Sequence, residues 1–122
     1  MDKSLLVRVG QHLLTFLERE GADVDVAAWI LSPETPWRLW LAPKKYVDRH
    51  SFYLKLAQVL SRHRQSIGDL EISDVQIVEP SSPILPALRK FRGSVTPIFP
   101  VWLTSESLGG YYVQEGVILK VA

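Results

Sequence analysis

Val24-Asp25-Val26-Ala27-Ala28-Trp29-Ile30-Leu31 is followed by Ser32-Pro33-Glu34-Thr35-Pro36 and then by Trp37-Arg38-Leu39-Trp40-Leu41-Ala42. The first run is short and rich in branched and aromatic residues, which favours a strand over a helix. It cannot continue through Pro33 and Pro36, because proline fixes φ and removes a backbone donor. The second run alternates. Trp37, Leu39 and Leu41 share one side, and Arg38 and Trp40 take the other. Two strands with so short a connection predict an antiparallel hairpin.

Before the hairpin, Leu5, Leu6, Val9, Leu13, Phe16 and Leu17 recur at helical spacing. This predicts a helix over about 5–20, with Ser4 as its cap and Gly21 as its stop. Gly10 weakens that helix. Val7 and Leu14 point away from the apolar face and add surplus apolar surface.

After the hairpin, helical period returns from Tyr46 to Arg64, with Asp48 as N-cap and Gly68 as the end. Phe52, Tyr53, Leu56, Val59 and Leu60 form its inner face, with Lys55, Gln58, Ser61 and Arg62 roughly opposite. Ile72–Val78 is a third strand. Ser82-Pro83 opens a helix that runs to Phe91, with Gly93 as its stop. Ile98–Thr104 is a strand whose Pro100 suits a sheet edge. Tyr111–Gln114 and Val117–Val121 flank Glu115-Gly116, which is either a tight turn or one strand bulged at Gly116. The expectation is one α+β domain over 1–122, in the order α-β-β-α-β-α-β-β-β. The last two strands merge if the bulge holds. The sheet would be largely antiparallel or mixed, with helices packed on it.

Composition agrees. The chain has 122 residues, 47% of them hydrophobic and 22% charged. That length buries roughly two-thirds of the unfolded surface in one core. There is no cysteine, which excludes disulfides, thiolate metal sites and cysteine nucleophiles. No apolar run approaches the ~20 residues of a membrane span. The start, Met1-Asp2-Lys3-Ser4, lacks the features of a signal peptide. A cytoplasmic protein with no membrane association is expected. The formal net charge is +1, too small for a global field on nucleic acid.

A wider pattern is visible in Ala27-Ala28-Trp29, Trp37-Arg38-Leu39, Ile72-Ser73-Asp74-Val75, Pro83-Ile84, Ala87-Leu88-Arg89 and Leu108-Gly109-Gly110-Tyr111-Tyr112-Val113-Gln114-Glu115. Over about residues 5 to 121 the chain resembles a group of short uncharacterised bacterial proteins. The resemblance implies one domain. It transfers no activity, and no catalytic or binding residue.

The residues that carry chemistry are sparse. His12 sits at the edge of the first helix's apolar face and reads as a packing residue. His50 and His63 lie near opposite ends of the second helix, roughly 20 Å apart at about 1.5 Å per residue, too far to share a metal. Asp69, Glu71 and Ser73 would share a face if the third strand reached back to them, and two carboxylates there could hold Mg²⁺. A solvated face is the plainer expectation. The sequence contains no Gly-x-Ser-x-Gly, Gly-x-Gly-x-x-Gly or Gly-x-x-x-x-Gly-Lys. Gly109-Gly110 reads as a turn. No catalytic residue, metal site or cofactor is expected.

Basic residues concentrate at Arg38, Lys44, Lys45, Arg49, Lys55, Arg62 and Arg64, and again at Arg89, Lys90 and Arg92. Those that end helices also suit the negative end of the helix dipole. The leading reading is a non-enzymatic protein-interaction module that binds a protein partner or its own copy, using apolar surface at Val7, Leu14 and Trp40. The alternative is a nucleic-acid accessory protein using the basic residues at 38–64 and 89–92. A third reading is an enzyme whose site assembles from distant residues, built on His12 or His50. The candidate binding residues are Trp40, Lys44, Lys45, Arg62, Arg64, Arg89, Lys90 and Arg92.

Overall fold

A computed structural model describes residues 3–44, 47–68, 70–93 and 100–122. The elements are α1 (Lys3–Arg19), β1 (Val24–Ser32), β2 (Thr35–Pro43), α2 (Arg49–Arg62), a four-residue α3 (Arg64–Ile67), a 3₁₀ turn (Ile72–Asp74), β3 (Val75–Ile77), α4 (Ile84–Gly93), β4 (Val101–Leu108) and β5 (Tyr111–Val121). This is the expected α+β order, with the last two strands fused into one.

The five strands form one mixed sheet in the order β3-β2-β1-β5-β4. β1 pairs antiparallel with β2 and β5, and β5 pairs antiparallel with β4. β3 alone runs parallel to its neighbour β2, after the crossover through α2. The predicted hairpin stands, with Trp29 opposite Leu39 and Ala28 opposite Trp40.

β1 is buried on both faces, which explains its near-continuous apolar sequence. Ala27 and Trp29 join a cluster with Leu39, Leu41, Val117 and the inner faces of α1 and α2. Val26, Ala28 and Ile30 join a second cluster with Leu103, Ile118 and the Ile84, Leu85 and Leu88 face of α4. The sheet thus separates one helical layer, α1 to α3, from α4.

Several local expectations hold. The Asp48 carboxylate accepts from the Ser51 N–H at 2.9 Å and caps α2. At the end of α1, Gly21 adopts φ 75°. Its N–H reaches Glu18 O and that of Ala22 reaches Leu17 O, which closes the carboxyl end. Gly68 ends α3 at φ 66°.

Other expectations are corrected. Ser4 lies inside α1 and is not its cap, since the helix already includes Lys3. Leu5 and Tyr53, placed on inner faces by periodicity, are exposed. Residues 72–74 form a 3₁₀ turn in place of the start of a strand. There the Asp74 carboxylate accepts from the Glu71 N–H at 2.9 Å, offering the backbone a local bond that competes with the sheet ladder.

Glu115-Gly116 is neither a turn nor a bulge. Gly116 pairs with Ile30 on one side and Leu103 on the other, in regular register. The register shift in β5 falls instead at Leu119, between the Ala27–Lys120 and Ala28–Ile118 pairs. The hairpin turn is Gly109-Gly110, both at positive φ, joining Leu108 to Tyr111. Of the last predicted strand before it, residues 98–99 lie outside the described residues.

Candidate functional site

β4 is an edge strand, and its two faces meet different surroundings. α4 packs on β4 and β5, whereas α1 packs on β1 and β5. On the α1 side, Trp102 stands opposite Val117 and Thr104 opposite Glu115. Directly opposed residues share a face, and Val117 belongs to the α1-side cluster. Trp102 therefore looks toward the α1 layer but remains 48% exposed. Trp37 on β2 is half-buried against the same cluster.

Lys3, in the first turn of α1, reaches down to this end of the sheet. Its Nζ donates to Glu115 Oε1 at 2.6 Å. Lys3, Trp37, Trp102, Leu103, Thr104 and Glu115 together line a recess of about 220 Å³. It is an aromatic-walled hollow with one cation and one anion at its rim. None of these six was singled out as a binding residue from sequence. The signal that could have found Trp102 is its place on the Pro100-marked edge strand.

The surface expected at Val7, Leu14 and Trp40 is not where the structure leaves apolar area open. Val7 and Leu14 are half-buried against the α1-side core, where α1 meets α2 and α3 as well as the sheet. Trp40 packs against the α4-side cluster, edge-to-face with Tyr111 at 4.9 Å. Among the described residues, the large exposed apolar side chains are Leu5, Tyr53, Leu54, Trp102 and Tyr112.

The basic candidates divide between the two helical layers. Arg62 pairs with Glu20 at 3.0 Å, and Lys44 with Asp23 at 3.6 Å. Arg64 is exposed on α3. Lys55 donates to the Glu20 carbonyl at 2.6 Å. Arg89 and Lys90 ride on α4, across the sheet. Lys45 lies outside the described residues, as does the side chain of Arg92. Among the described residues, the basic side chains of α2 and α3 and those of α4 lie on opposite sides of the sheet.

A wider, shallower hollow of about 580 Å³ lies between the start of α2 and β3, lined by Asp48, Arg49, His50, Tyr53 and Val75–Ile77. Its charges are engaged. The Ser51 N–H bond, with His50 adding a smaller attraction, holds the Asp48 carboxyl below its ordinary value. Arg49 pairs with Glu79. His63 is stacked on Phe16, with centroids 3.8 Å apart, and His12 Nδ1 donates to the Ser66 carbonyl at 3.2 Å. Among the described residues no histidine bonds a carboxylate, and no acidic or histidine cluster could hold a metal ion. Glu71 serves the 3₁₀ turn, and Asp69 lies outside the described residues. No helix among the described residues is long and apolar enough to cross a membrane.

No protein-family model, curated protein or solved structure matches the chain. The resemblance to short bacterial proteins rests on the quoted residues alone.

Proposed function

We propose that the chain is a protein-interaction module whose contact surface is the Trp37–Trp102 recess. The observation that carries this reading is the half-exposed Trp102, which lines one recess together with Trp37 on the α1 side of the sheet. Tryptophan is among the residues most enriched at the energetic centres of interfaces. Its indole buries a large apolar area while keeping one polar N–H. A sheet face with two such rings and a small polar rim has the anatomy of an interface core. The Lys3–Glu115 pair at its edge supplies orientation.

A nucleic-acid reading has less support, since its residues point from two layers and several are paired within the chain. For an enzymatic reading, no histidine among the described residues bonds a carboxylate that would orient it.

The test is a photoreactive aromatic residue in place of Trp102, activated in cells that express the protein. Covalent adducts to protein at 102, and none from the same residue at Gln58 on exposed α2, are expected. Absence of any protein adduct at 102 overturns the reading.

A further inference from the structure

We propose that the Trp37–Trp102 surface is complementary to itself and joins two copies of this chain about a two-fold axis. The inference rests on the reading above and names its partner. Two-fold interfaces are isologous: one patch must fit its own rotated copy, so residue i meets j and j meets i. This patch carries what such a fit needs. Trp102 is nearly half exposed, and with Trp37 it forms the apolar walls of a recess of about 220 Å³ whose remaining lining includes Lys3, Thr104 and Glu115. A rotation that brings Trp102 over the copy's recess brings the copy's Trp102 over this one.

The rim charges follow the same logic. Lys3 and Glu115 are one cation and one anion, with side chains 54% and 33% exposed. Rotated face to face, each Lys3 can meet the other copy's Glu115. A patch of one sign would instead repel its copy. The patch as a whole carries no net charge to oppose its own approach.

Side chains rather than backbone make the junction. The β4 edge is interrupted as a template for strand addition, because Ser105, at φ 50°, breaks the strand's alternation midway. Leu103 and Leu108, an odd number of residues apart, both face α4 as a result.

The experiment is sedimentation of the full chain at rising concentration, comparing wild type, K3E, E115K, W102A and an equimolar mixture of K3E with E115K. Wild type is expected to dimerise at micromolar concentration. K3E presents two anions to its copy and E115K two cations, so each alone should associate more weakly by roughly tenfold or more. Their mixture should regain the wild-type dimer, as a K3E–E115K heterodimer that matches opposite charges. W102A should stay monomeric. A role for Lys3–Glu115 confined to one chain cannot produce recovery on mixing. Wild type that remains a monomer at high micromolar concentration overturns the inference. So does a mixture that associates no better than its components. If wild type is monomeric while position 102 still crosslinks to a protein of another mass, the second copy is wrong and the contact surface stands. If position 102 crosslinks to nothing, both fall.

Discussion

The indole Nε1 of Trp29 donates to the main-chain carbonyl of Leu6 at 2.7 Å. This bond ties the central strand to the helix above it, and it depends on a missing side chain one turn further on. A Cβ at Gly10 would lie 2.9 Å from Nε1 and collide with Leu119 Cδ1. Gly10 therefore weakens α1 as an isolated helix and permits its close seat on the sheet.

The G10A variant tests that trade. On helix propensity alone, alanine should stabilise by up to about 1 kcal/mol. Overpacking against a buried ring costs about 1–3 kcal/mol, and an indole N–H left without its acceptor costs a similar amount. The expected net effect is a loss of roughly 2 kcal/mol, read as a lower urea midpoint at unchanged slope. A more stable G10A would mean that α1 does not sit this close to Trp29.

The hairpin glycines should differ from each other. Both lie at positive φ, but a Cβ at Gly110 meets nothing within 4 Å, whereas one at Gly109 would run into the Pro83 carbonyl just before α4. G110A carries the left-handed penalty alone, about 1–2 kcal/mol. G109A adds a backbone collision that α4 must move to relieve, for a total of roughly 3 kcal/mol or more. Thermal melts of the two variants compare them directly, and equal melting temperatures would contradict the α4–hairpin contact.

Asp48 predicts a pH signature. The Ser51 N–H bond lowers its pKa in the folded chain, so the cap's contribution is full above the ordinary carboxylate pKa of about 4. It is lost as pH falls from there through the lowered folded value. The stability gap between wild type and D48A should thus be constant near neutrality and shrink in acid. Denaturant titrations across that range measure it. A gap that does not change with pH would mean the cap is not ionic.

Elements whose physics is local were legible from the chain. Asp48 and Gly21 act within one helical turn, and the β1–β2 hairpin is written in alternation and two prolines. Gly116 misled because its reason is tertiary. A Cβ there would come within 3.1 Å of the Trp29 carbonyl across the β1–β5 ladder, so the glycine marks close strand packing and not a turn. Residues 72–74 misled because Glu71 and Asp74 form a capping pair that overrides the apolar pattern. The candidate site was the least legible part. Lys3, Trp37, Trp102 and Glu115 belong to four elements, and only the β2-β1-β5-β4 order brings them together. Trp40 looked accessible because nothing local announces Tyr111 packing against it.

The most direct measurement is the folding free energy of W102A against wild type, taken by urea denaturation at a concentration dilute enough for a single chain. A side chain half in water and held for a partner should cost little on truncation, within about 0.5–1 kcal/mol. A loss of about 3–5 kcal/mol, as for a tryptophan removed from a packed core, would place Trp102 in the folding core and contradict its role as a contact residue.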